Sequence, residues 1–235
     1  MQGVHDPLLA IAMVIDNGEK MVAFCSVDHL GFTYEMAQRI IEKAHSCPNL
    51  SQCEIFVGSS HTHSGGGAYL NIPMLGEMLA GRYDAIGQSL AETVAKIWNV
   101  TEAIDEIQIK TAKDSYSFVT CPTPFGLKLP IEQYESEMNV ITLNDSHAFV
   151  TIPGELSCLY DAKLKAKGKE LGFEHLSILG LVNDAHGYII LPESWRRKTF
   201  ESSLSFGGEF YGQKIEEKAL ELLDQVKEDG LSSIS

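Results

Sequence analysis

The stretch Ser59-Ser60-His61-Thr62-His63-Ser64-Gly65-Gly66-Gly67 brings imidazoles, hydroxyls and a glycine run together directly after the apolar Ile55-Phe56-Val57. Two histidines one residue apart face the same way from an extended backbone. Imidazole serves both as a metal ligand and as a general acid or base. Gly65, Gly66 and Gly67 let the chain turn sharply and come close to a ligand, which makes them the expected substrate-binding segment. Other groups with chemical capacity also follow apolar runs: Asp28, Glu155, and Asn183 through His186. In α/β sheets ligands bind beyond the carboxyl ends of strands, so these groups are expected to converge.

Each also has a plain structural reading. Asp28 reads as a turn or helix-initiating carboxylate, Glu155 as the cap of a following helix, and His186 as a surface-loop residue. Together, two histidines and a glutamate are the donors of a catalytic zinc site that keeps one position open for water. His61 and Glu155 are the leading ligands, and His63 is placed to give a proton to a leaving group. Asp28 and His186 are further candidates for metal or substrate. Such a set acidifies water and polarises a carbonyl, the chemistry of hydrolysis.

The elements that must position these groups follow from patterning. Residues 8–15 and 21–27 read as strands joined at Asp16-Asn17-Gly18. Residues 34–44 read as a helix capped by Thr33, and 54–57 as the strand that delivers the histidines. A second amphipathic helix is expected over 83–98 and a half-buried strand over 104–111. The proline-bearing span 114–133 reads as a long irregular loop. Strands at 139–143 and 148–152 flank Asn144-Asp145, and a helix over 156–171 ends at Gly172. Residues 176–182 form a further strand, and the last helix covers 213–226. The fold class expected is α/β, mixed sheets layered with helices, in one domain over residues 1–235. Leu70, Ile72, Met74, Leu75, Met78 and Leu79 read as a core helix, a subunit contact or the wall of an apolar groove.

With 235 residues, 44% of them hydrophobic and 21% charged, the chain has the balance of a globular protein. Its formal charge of -14 argues against a nucleic-acid surface. Five cysteines, an odd number with no Cys-x-x-Cys pair, fit free thiols in a reducing cytoplasm. No charged-then-apolar leader follows Met1, and no apolar run approaches the roughly 20 residues of a bilayer span. A homo-oligomer is compatible with all of this.

Three ordered motifs resemble the neutral/alkaline non-lysosomal ceramidases in their N-terminal catalytic domain. Ser60-His61-Thr62-His63-Ser64-Gly65 resembles that family's zinc motif, and Pro153-Gly154-Glu155 its Pro-Gly-Glu element. Asn183-Asp184-Ala185-His186-Gly187-Tyr188-Ile189 with Pro192-Glu193 resembles the block that carries a tyrosine ligand. Gly3 to Leu8 and Ser26-Val27-Asp28 are weaker echoes. The resemblance implies one zinc ion held by His61, Glu155 and Tyr188, with His63 beside it, acting on a linear amide or lipid-like N-acyl substrate. Family members are longer and carry a second zinc histidine in a Phe-x-x-His-Pro-Thr context. Here Phe118-Val119-Thr120-Cys121-Pro122-Thr123 stands nearest, with Cys121 in the place of that histidine. Thiolate binds zinc well, so Cys121 is a substitute ligand in this reading. It is also the nucleophile of an alternative cysteine hydrolase. A non-catalytic homologue that keeps the metal or a ligand is the third reading, since the family's central histidine and serine are missing.

Overall fold

A computed structural model describes residues 7–63, 80–98, 104, 106–126 and 130–231. The fold is α/β, and the chain divides into two compact units, Met1–Ala103 and Ile104–Ser235. In the first unit, β1 (Ala10–Asp16) and β2 (Met21–Val27) form the expected hairpin, with Gly18 at φ 83° in its turn. β3 (Glu54–Ser59) pairs parallel to β2. Period-two alternation turns Ala23, Cys25, Val27 and Ile55 inward, while Phe24 stacks on Phe56 on the other face.

Two helices cover the inward face. The hydroxyl of Thr33 accepts from the Met36 amide and caps α1 (Tyr34–His45), which buries Met36, Ile40 and Ala44. α2 (Ala80–Trp98) adds Leu90 and Val94 to this core. The helices cross closely because Gly87 has no side chain: a Cβ there would stand 2.6 Å from the Ile40 carbonyl. Arg39 grips Asp84 through two bonds of 2.7 and 2.8 Å across the same crossing.

The second unit is built on a four-stranded sheet. β4 (Ile109–Val119), β5 (Gln133–Leu143) and β6 (His147–Ile152) run antiparallel. After β7 (Glu155–Leu156), α3 (Cys158–Glu170) crosses over to β8 (His175–Gly180), which lies parallel to β6. Gly172, at φ 88°, ends the helix as expected. β9 (Tyr188–Ile189) pairs with β7, and α4 (Pro192–Arg196) leads to α5 (Tyr211–Leu231). α5 packs on β4 and β5, burying Ile215, Ala219, Leu222, Leu223 and Val226 against Met138, Val140 and Val150.

Three expectations are corrected here. The span 114–133 is no long loop: residues 114–119 continue β4 and Gln133 opens β5, with Val119 opposite Gln133. The inward side of β4 carries Lys110 and Asp114, which pair with Asp145 and Lys218, among Ala112, Tyr116 and Phe118, and the prolines that follow at 122, 124 and 130 drew the loop reading across the strand's end. The expected strand at 104–111 begins only at Ile109, and its apolar phase faces solvent, with Ile107 46% and Ile109 63% exposed. The helix expected from 156 starts at Cys158, because Leu156 belongs to β7 and Ser157 is the cap. Among the described residues, all five cysteines are free and no helix is long and apolar enough to cross a membrane.

Candidate functional site

In the first unit the parallel pairing of β2 and β3 sets their carboxyl ends side by side, with Val27 opposite Ser59. Asp28 accepts from the Leu9 amide at 2.9 Å with one oxygen and from the Ser60 hydroxyl at 2.8 Å with the other. It ties three chain segments together immediately before the histidines. His61 has φ 57°, a left-handed conformation that costs a non-glycine residue about 1–3 kcal/mol and is met at functional sites. Its Nδ1–H donates to the Leu30 carbonyl at 2.5 Å. A backbone acceptor at one ring nitrogen is how metal-binding histidines are commonly oriented. The exposed His63 ring stands edge-on to His61, centroids 5.1 Å apart. Gly65, Gly66 and Gly67 lie outside the described residues, as do Leu70, Ile72, Met74, Leu75, Met78 and Leu79.

In the second unit the two-residue strands β7 and β9 place Glu155 opposite Tyr188. Both residues are half-buried, and the Glu155 carboxylate is near enough for its charge to act on the Tyr188 phenol. Burial, with the negative charges of Glu155 and Glu201, pushes the Tyr188 phenol up to about 12. A cation between carboxylate and phenol would relieve that charge crowding, so the pair suits a hard or borderline metal ion. The helix-cap reading of Glu155 is corrected, because the Ser157 hydroxyl accepts from the Leu159 amide and caps α3.

His186 is corrected on both counts. It is not on the surface, being 3% exposed, and both ring nitrogens are committed elsewhere. Nε2 meets Asp184 at 2.7 Å and Nδ1 meets the Tyr211 hydroxyl at 2.5 Å. The ring stacks flat on Phe118, centroids 3.7 Å apart and planes 4° apart. Tyr211 continues to the Tyr116 hydroxyl at 2.9 Å. Burial holds His186 below the usual histidine range against the opposing pull of Asp184. Neutral His186 thus gives its Nε2–H to Asp184 and accepts the Tyr211 proton at Nδ1. Tyr116 and Tyr211 were invisible as partners in the sequence, since Tyr116 fell in the supposed loop and Tyr211 preceded the expected helix.

Cys121 lies just past β4, where its thiol donates to the Val119 carbonyl at 3.8 Å. It lines a cleft of about 380 Å³ with Tyr116, Phe118, Tyr211 and Lys218. No imidazole lines that cleft among the described residues, which removes support from a Cys-His hydrolase.

The depressed histidines carry a stability prediction. His147 stacks on His175 at 4.4 Å, and burial and the neighbouring imidazole lower it, as burial lowers His186. The unfolded chain then takes up protons that the folded chain does not, beginning near the ordinary value of about 6.5. This contribution to stability is present above about pH 6.5 and is lost as pH falls through it. Urea midpoints are expected to drop between about pH 6.5 and 5, and less so in His147→Gln. An equal drop in that variant would count against His147.

No protein-family model and no curated protein matches the chain. Solved structures do. The neutral ceramidase from Pseudomonas aeruginosa superposes with TM-score 0.61 at 8% identity, covering 94% of this chain and 46% of that one. A ceramidase complexed with C2 gives TM-score 0.61 at 10% identity, covering 94% of this chain and 48% of that one. The chain therefore shares their fold and spans about half their length.

Proposed function

We propose that this chain is a zinc-dependent hydrolase of a linear amide, an N-acyl compound of ceramide-like type. The observation that carries the reading is the Glu155–Tyr188 pair, set in register by β7 and β9 with the carboxylate's charge acting on the phenol. The likeness of fold to the two ceramidases supports it. So does His61, whose Nδ1–H is held by the Leu30 carbonyl.

The donor set of imidazole, carboxylate and phenol fits zinc, and a bound ion would supply Lewis acidity toward the amide carbonyl and acidify water. The chain's own residues do the rest. Leu30 orients His61 through its carbonyl. Glu155 would supply the negative charge that the ion requires, and Tyr188 a further oxygen donor. His63, exposed beside His61, gives a proton to the departing amine nitrogen, which cannot leave as an anion. Asp28 holds the strand ends from which both histidines project.

The test is metal analysis of purified protein together with hydrolysis of a short-chain N-acyl sphingoid amide and a simple N-acyl amine. About one zinc per chain is expected, with activity lost on chelation and restored by zinc. Stoichiometric zinc without turnover of any amide would favour the non-catalytic homologue. Absence of zinc would end the metal reading.

A further inference from the structure

We propose that Asp184, His186 and Tyr211 form a positioning assembly that sets Tyr188 in register with Glu155; this rests on the metal reading above. β7 and β9 have two residues each. A ladder so short has little hold on its own register, and a slip of one residue would turn Tyr188 to the opposite face. Something else must fix it.

His186 is that anchor. Its ring is held on three sides, by Asp184 at 2.7 Å, by the Tyr211 hydroxyl at 2.5 Å and by the face of Phe118. Its amide donates to the Pro153 carbonyl at 2.8 Å, while the next carbonyl, of Gly187, accepts from the Glu155 amide at 3.0 Å. The peptides entering Tyr188 and those entering Glu155 are thereby bound to each other. Tyr211 opens α5, the helix packed on the main core, so the anchor is tied to the most deeply buried part of the unit.

The chemistry of the assembly argues against simple filling. A phenylalanine at 186 could stack on Phe118 without bringing polar atoms into the core, and buried polar networks commonly add little stability over apolar packing. What they can add is a single geometry.

The experiment uses the full chain with zinc as the probe, in wild type, Tyr211→Phe, Asp184→Asn and Tyr188→Phe. Affinity is read by chelator competition, and Tyr188 ligation by the near-ultraviolet tyrosinate band that appears on zinc addition and is absent in Tyr188→Phe. Tyr211→Phe keeps the ring and loses only the hydroxyl. It is expected to bind zinc about 10–100-fold more weakly, with a smaller tyrosinate band per bound zinc. Asp184→Asn should do the same, and because that side chain is 37% exposed it carries the test if Tyr211→Phe does not fold. Affinities within about twofold of wild type would overturn the assembly and leave the metal reading intact. A lowered urea midpoint with an unchanged band per zinc would overturn it equally. Wild type that binds no zinc, or shows no band that Tyr188→Phe removes, would sink both.

Discussion

Glu155→Ala is expected to leave the protein folded but unable to hold zinc, with affinity down by more than about 100-fold and amide hydrolysis lost with it. The size of the effect follows from charge. Glu155 is the anionic member of the proposed donor set, and it is half-buried, where a cation without a counter-charge is strongly disfavoured. The phenol of Tyr188 does not replace it, because Tyr188 stays protonated until an ion draws the proton off. The fold should survive, since the link between β7 and the Gly187 carbonyl uses the backbone amide of residue 155. Glu155→Gln separates charge from shape: it keeps the size of the side chain and should still fail to retain zinc. His61→Ala should lose zinc in parallel. Stoichiometric zinc in Glu155→Ala would remove Glu155 from the site.

Gly187→Ala is expected to destabilise the chain by roughly 2–5 kcal/mol, a large part of the 5–15 kcal/mol typical of a folded domain. Two costs add. The residue sits at φ 73°, where a side chain is strained, and a Cβ there would stand 2.1 Å from the Leu204 carbonyl and 3.0 Å from the Phe206 ring. Relief would move the Gly187 carbonyl that receives the Glu155 amide, so zinc affinity should fall along with stability. Gly172→Ala is the control: it shares the positive φ, 88°, but nothing lies within 4 Å of the added carbon. It should cost only about 1 kcal/mol. Equal urea midpoints for the two alanine variants would show that the loop around residue 187 yields, and the steric argument would fall.

Much of this molecule was legible in its residues. Asn17-Gly18 between apolar runs gave the first hairpin, and Thr33 before a 3.6-residue pattern gave α1, because turn chemistry and capping are local. The last helix was legible for the same reason. His61 and Glu155 stood out by type and by their resemblance to known motifs, and Tyr188 by that resemblance alone, whatever their surroundings. Long-range pairing stayed hidden. The end of β4, from Asp114 on, reads as loop because of the prolines after it, and Lys218, which pairs with Asp114, lies far along the chain.

The same physics divides the candidate site. Sequence determined which donors exist, since ligand chemistry belongs to the side chain itself. Only the tertiary structure decided what each one does. Asp28 became a tie between strand ends because Leu9 and Ser60 reach it, and His186 became a buried anchor because Phe118, Asp184 and Tyr211 enclose it. Glu155 and Tyr188 are partners because a parallel pair of two residues sets them in register. Burial and partnership come from residues brought together by folding, and no spacing along the chain records them.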